Sequence, residues 1–169
     1  MNSFAFRRVV AFLIDCTVAV VWGCVLFGAV YLATGGEFFV PGGVLRAEAL
    51  SFGTMTLPFA LYFAVCESGA RQATWGKRRL GLRVERLDGS RLSFGAALAR
   101  VLIKFVPWEL AHLGLNVTFF GGEALEVWTY VLMIASWLGV FVYAYLLYLN
   151  RALPYDRVVG ARVVDVRLR

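Results

Sequence analysis

Residues 9–33 read Val9-Val-Ala-Phe-Leu-Ile-Asp15-Cys-Thr-Val-Ala-Val-Val-Trp-Gly-Cys-Val-Leu-Phe-Gly-Ala-Val-Tyr-Leu-Ala33. As a helix this run is about 37 Å long, more than the roughly 30 Å of hydrocarbon in a bilayer. Arg7 and Arg8 precede it as they would in a signal peptide. The apolar run is too long for one, Asp15 interrupts it, and no small-residue cleavage pattern follows, so it is read as a retained first helix. Asp15 is its one charge. A carboxylate at membrane depth costs roughly 2.5 kcal/mol or more to insert unless it is protonated or partnered. Asp15 is therefore expected to have a partner, a ligand or a proton.

The rest of the chain has the same character. Of its 169 residues 60% are hydrophobic and 17% charged, against about 45–50% and 25% in soluble domains. The length leaves no room for a large soluble module beside the membrane part, so residues 1–169 are read as one membrane domain. Cys16, Cys24 and Cys66 lie inside apolar runs without a CxxC pair. They are read as core residues with free thiols, neither a disulfide framework nor a zinc site.

Three more segments are apolar: about 50–66, about 94–120 and about 124–149. The segment 94–120 carries Arg100, Lys104, Glu109, His112 and Asn116, with Pro107 near its middle. In its first half Phe94, Leu98, Val101, Leu102 and Phe105 share one face, with Arg100 and Lys104 apart from it, the pattern of an interfacial helix. The basic residues decide its topology. Two of the 17 Lys and Arg lie at Arg7 and Arg8, nine between Arg71 and Lys104, and five between Arg151 and Arg169, leaving only Arg46 in the 34–49 loop. If the third segment crosses, all 16 fall on one side, which is then cytoplasmic; if it does not, the basic tail lies outside. The segment is expected to begin at the interface, bend near Pro107 and cross or re-enter. The expected architecture is an all-α four-helix transmembrane bundle with both termini inside. Aromatic residues fit it, with Tyr31, Trp128 and Tyr130 near the outer interface and Trp75, Tyr145 and Tyr148 near the inner one.

Between the spans, Leu80-Gly-Leu-Arg-Val-Glu-Arg-Leu87 alternates like a strand and runs into Asp88-Gly89, a tight-turn signal. The tail Val158-Val-Gly-Ala-Arg-Val-Val-Asp-Val-Arg-Leu168 has the same habit. Strands are expected at about 79–94 and 157–168, as a small cytoplasmic β-hairpin or sheet. At an offset of 79, Arg78, Gly81, Arg83 and Val84 match Arg157, Gly160, Arg162 and Val163. Both a duplicated unit and two independent basic juxtamembrane strands explain the match.

Arg8-x6-Asp15, the stretch Thr74-Trp-Gly-Lys-Arg-Arg-Leu-Gly-Leu-Arg-Val84 with Asp88-Gly89, and the tail from Arg151 to Val164 together resemble the RDD family of small bacterial membrane proteins, named for one arginine and two aspartates. The resemblance covers nearly the whole chain. It implies that Arg8 is the arginine, with Arg7 the adjacent alternative, and that Asp15 and Asp156 are the aspartates. Family members often carry histidine before the second aspartate, where this chain has Tyr155. The resemblance also implies a bacterial inner-membrane location and an activity related to transport of ions or other ligands.

Three sites follow. Arg8, Asp15 and Asp156 form either a structural charge cluster or a cation- or proton-binding site; Arg8 and Asp15 are two turns apart on one helix, and Lys77, Arg78 or Arg100 can also turn toward Asp15. Glu109 and His112, at i, i+3, can share a proton or simply face a hydrated vestibule. Lys77, Arg78 and Arg79 form a basic patch suited to anionic lipid; Gly76-Lys77 has the look of a P-loop, but the upstream glycine is missing. Ala19-x3-Gly23 permits close helix approach within the bundle or to a second copy. With one histidine, a multi-histidine metal site is excluded. No nucleophile–base pair or cofactor loop is present, so neither catalysis nor a cofactor is expected. Topology accounts for the net charge of +6 without nucleic acid. The functional expectations are a transport-related protein with a cation or proton at Asp15, or a non-catalytic accessory or scaffold subunit of a larger membrane complex.

Overall fold

The computed structural model describes residues 3–35, 42–123 and 126–168. In chain order the elements are α1 (Ser3–Thr34), α2 (Val44–Ser51), a π-helical turn (Phe52–Thr56), α3 (Leu57–Ser68), α4 (Trp75–Arg79), β1 (Leu82–Arg86), α5 (Phe94–Phe120), α6 (Glu126–Tyr148), α7 (Pro154–Val158) and β2 (Ala161–Asp165). Among the described residues three helical stretches are long and apolar enough to cross a membrane: Phe4–Thr34, Val44–Ser68 and Glu126–Tyr148. Only 6% of the most apolar window of the third is buried by the protein itself, so its surface suits hydrocarbon rather than water. α5 has 27 residues, ample length, but Arg100, Lys104 and Glu109 keep it outside that class. The second span begins earlier than its hydropathy suggested, since Arg46 and Glu48 lie inside α2. The last expected span began at 124; residues 124 and 125 lie outside the described residues.

The chain divides into two compact units, residues 1–17, 59–105 and 141–169 in the first and residues 18–58 and 106–140 in the second. The first unit holds the sheet. β1 pairs antiparallel with β2, with Val84 opposite Val163 at the centre of the ladder. These two valines are also 79 residues apart, and so are the elements around them: α4 matches α7, and β1 matches β2. Gly81 (φ +64°) and Gly160 (φ +61°) end the short helices in the left-handed region that favours glycine. The faint sequence match thus marks two copies of one local structure, helix–glycine–strand, paired about their common centre.

No β-hairpin forms at Asp88-Gly89. The turn itself is present, with the Ser90 amide and hydroxyl both donating to Asp88 Oδ1 (2.9 and 2.6 Å). Ser93 Oγ then accepts the Ala96 amide at 3.2 Å, which is N-cap geometry and starts α5 where a return strand was expected. The strands are accordingly shorter than the expected 79–94 and 157–168. Ala64, Val84, Leu92, Ala97 and Ala161 form the core between sheet and helices. A second core of Ala60, Phe63, Val101 and Phe105 lies along α3 and α5.

The first half of α5 is not a surface helix. Arg100 is buried while Phe94 and Leu102 are exposed, so its charged stripe faces protein. Pro107 lacks an N–H, which deprives the Ile103 carbonyl of its helical partner; the Tyr143 hydroxyl donates to that carbonyl at 2.8 Å. The helix continues through the proline because a neighbouring side chain supplies the missing donor.

In the same unit the Arg7 guanidinium donates to the Leu80 carbonyl and to the Asp165 carboxylate. These bonds hold the Asp165 pKa below its ordinary value. A depressed carboxylate contributes stability that is present above the ordinary value of about 4 and is lost as pH falls through the lowered one. Below about pH 4, hydrogen exchange of the β2 amides is therefore expected to speed up before that of α5. Asp165→Asn should exchange fast at β2 at every pH; a wild-type β2 that stays protected in acid would rule the anchor out.

The second unit is built on the π turn. Pro58 has no N–H to offer the Thr54 carbonyl four residues before it; the Trp22 indole N–H donates to that carbonyl at 2.9 Å. A Cβ on Gly23 would lie 3.2 Å from Met55 Cε, so the small-residue site on α1 is used for packing within the chain. Ser136 Oγ donates to the Pro107 carbonyl at 2.7 Å.

Candidate functional site: two buried charge clusters

Asp15 is fully buried in the first unit. Three donors surround its carboxylate: Thr74 Oγ1 to Oδ2 at 2.6 Å, the Gly76 amide to Oδ1 at 2.8 Å, and Tyr62 Oη to Oδ1 at 3.0 Å. Thr74 is the N-cap of α4, and Gly76 lies in its first turn. The carboxylate thus satisfies amide and hydroxyl groups at the start of α4, where negative charge is favoured. α4 can come this close only because residue 76 has no side chain: a Cβ there would sit 2.0 Å from the Ala11 carbonyl oxygen.

Among the described residues no ion pair joins Asp15 to a lysine or arginine. The expected cluster of Arg8, Asp15 and Asp156 is therefore split. Arg8 and Asp156 do meet, with Nη2 3.1 Å from Oδ2, but Asp15 stands apart with its own donors. The reason is geometric: on one helix Arg8 and Asp15 are about 10 Å apart along the axis, and each finds a closer partner on another element.

The Arg8–Asp156 pair ends a longer chain of charges. Arg100 Nη2 lies 2.7 Å from Asp156 Oδ1, and Arg100 Nη1 lies 2.6 Å from Glu67 Oε2. Lys77 Nζ lies 2.8 Å from Glu67 Oε1. The order is Arg8–Asp156–Arg100–Glu67–Lys77, with the guanidinium of Arg100 at its centre, only 2% exposed. Lys77 and Asp156 are 79 residues apart, equivalent positions in the two helix–glycine–strand segments, so opposite charges on matched sites meet through Glu67 and Arg100. The Arg100 guanidinium also lies over the Tyr155 ring, 5.0 Å from its centroid. Burial pushes the Tyr155 phenol up to about 12, so it stays protonated near neutral pH.

Lys77 corrects a second expectation. It is buried and bound to Glu67, so it is not open to a lipid headgroup. Arg78 and Arg79 are exposed and line, with Trp75, a shallow depression of about 400 Å³. The Arg79 guanidinium lies 5.4 Å from the centroid of the Trp75 ring.

Sequence reasoning missed Glu67, the hub acid, because it follows the last apolar residue of its span and reads as loop. It also missed Glu85, fully buried between Arg83 and Arg162, and the donors Tyr62 and Thr74. One signal was available: acids on a side so rich in arginine are expected to be paired. Lys104, expected on the polar side of an interfacial helix, has its Nζ 4.1 Å from the centroids of both Phe12 and Phe63, a cation–π setting.

Glu109 and His112 fall in the second unit. Thr56 Oγ1 donates to Glu109 Oε1 at 2.5 Å, and His112 Nδ1 lies 3.6 Å from the same oxygen. One helical turn further on, Asn116 Nδ2 donates to Glu48 Oε2 at 2.8 Å and to Ser51 Oγ at 3.2 Å.

The chain belongs to the RDD family, whose model matches residues 3–160. No curated protein and no solved structure matches it.

Proposed function

We propose that this member of the RDD family is a non-catalytic accessory or scaffold protein of the bacterial inner (plasma) membrane, with Asp15 as an architectural residue. The observation that carries this reading is the shell of Asp15. A cation site is made of oxygen acceptors, whereas Asp15 is met by two hydroxyl donors and an amide N–H. Those donors occupy three of the roughly four acceptor positions of the carboxylate, and they fasten α4 and the sheet that follows it to α1. The ion-pair chain from Arg8 to Lys77 fastens α7 and β2 in the same way. A transport-related protein with a cation or proton at Asp15 is the competing reading, and it requires the ligand to be taken at the acceptor position left on Oδ2 or a donor to be released.

On this reading α5 is a fourth crossing helix, and both termini are cytoplasmic. What supports it is that a crossing α5 would bring 16 of the 17 basic residues to one side, as the positive-inside rule favours. Arg78 and Arg79, exposed beside Trp75, would then meet anionic headgroups, each worth about 1 kcal/mol. The expected partners are those lipids and either a second copy or a larger membrane complex.

Asp15→Asn tests the reading. The amide keeps the size but offers one acceptor, and its own N–H atoms face donors. A loss of about 3 kcal/mol is expected, from several charge-assisted hydrogen bonds, read as a lower unfolding midpoint in detergent and less protein in the membrane. Sodium- or proton-driven flux in vesicles, normalised to folded protein, should be unchanged. A variant as stable as wild type that has lost such a flux would overturn the architectural role.

A further inference from the structure

We infer that Glu109 and His112 form a proton-binding pair in the second unit, with the proton taken up on His112 Nδ1 and held against the Glu109 carboxylate. His112 Nδ1 is buried and makes no hydrogen bond; among the described residues it is the one such buried side-chain nitrogen or oxygen. Native proteins leave few of these groups unpaired, because each costs about 1–3 kcal/mol. This one faces Glu109 Oε1 at 3.6 Å. The gap is too long for a hydrogen bond, and a water bonded to both atoms needs on the order of 4.5 Å between them. Nδ1 and Oε1 thus face one another with room for a proton between them and too little for a water. Protonated at Nδ1, the ring becomes a donor to the carboxylate and closes to a charge-assisted bond of about 2.8 Å.

The surroundings hold both partners in place. The imidazole stands edge-on to the Trp108 ring, with centroids 4.5 Å apart. Glu109 is fixed from across the helix interface by Thr56, the last residue of the π turn. π turns often occur at functional sites, where the extra residue re-aims a side chain. The polar groups around the pair are few. From its own helix, Asn116 faces the same side one turn on; from α2, Glu48 and Ser51 hold Asn116. In this unit α1 contributes no charged residue, α6 contributes Glu126, whose carboxylate accepts the Tyr130 hydroxyl at 3.4 Å, and Arg46 is the only Lys or Arg. The inference does not rest on Asp15, which belongs to the other unit.

His112 is the only histidine, so histidine-labelled protein in nanodiscs gives one pair of imidazole nitrogen signals. These are followed from about pH 9 to about pH 5, bracketing the ordinary imidazole value. At high pH the ring should carry its hydrogen on Nε2 with Nδ1 bare, and Nδ1 should gain a proton on acidification. Glu109→Gln should weaken proton binding about tenfold, a midpoint about one pH unit lower. Thr56→Val, which keeps the size and removes the donor that competes for Glu109 Oε1, should move the midpoint up; it also serves if Glu109→Gln does not fold. Equal midpoints in wild type and variants, a ring protonated at Nδ1 throughout, or a ring that never titrates in this range would each overturn the pair.

Discussion

Arg100→Ala is expected to cost about 3–5 kcal/mol and to leave little folded protein in the membrane. The guanidinium binds Glu67 and Asp156 at 2.6 and 2.7 Å, and all three side chains are shut away from solvent. Truncation leaves two buried carboxylates facing a void. Lys77 and Arg8 at the ends of the chain can each neutralise only one of them. Arg100→Lys should rescue little, because one ammonium cannot span the fork that reaches both acids. Arg162→Ala is the control. Arg162 is a half-exposed partner of Glu85, which keeps Arg83, and its loss should cost no more than about 1 kcal/mol. Unfolding midpoints in one detergent compare the three. If Arg100→Ala melts with Arg162→Ala, the buried charges are not what holds the first unit together.

Gly76→Ala should be nearly as damaging, though it adds a single methyl group. That carbon would lie 2.0 Å from the Ala11 carbonyl oxygen and 3.1 Å from Asp15 Cγ. The first obstacle is helix backbone, which cannot rotate aside, so α4 must back away from α1. It would take its amide and the Thr74 hydroxyl away from Asp15, leaving a buried carboxylate short of donors. A loss of at least about 3 kcal/mol is expected, from overpacking together with the unpaired charge. Gly95→Ala gives the contrast. Nothing lies within 4 Å of its added carbon, and in the first turn of α5 the substitution should be neutral or stabilising by up to about 1 kcal/mol. Equal melting of the two variants would show that α4 does not need its close seat on α1.

Much of the fold could be read in the residues. Runs such as Val9–Ala33 have one physical solution in hydrocarbon, a helix with its backbone bonds satisfied internally. The alternation around Val84 and Val163 announced strands, whereas the 79-residue offset fitted both a duplicated unit and two independent strands until the matching helices α4 and α7 were seen. Less of the site was legible. Arg8 and Asp156 could be paired from their types and common side, but the same logic wrongly drew in Asp15. What removed Asp15 from the cluster was an amide and two hydroxyls, groups that almost any sequence contains and no charge pattern marks.

The sequence by itself determined that this is a membrane protein of the RDD type, that its basic residues gather in three segments, and that Asp15 needs a partner. Those conclusions follow from solvation, which depends on residue type and run length alone. Only the tertiary structure decided which partner. Asp15 caps α4, Glu67 and Arg100 join the two matched segments, Lys77 turns inward, and His112 Nδ1 is left bare. Each of these outcomes rests on distances of a few ångströms between elements remote in the chain, and hydrogen bonds and ion pairs are selected at that range.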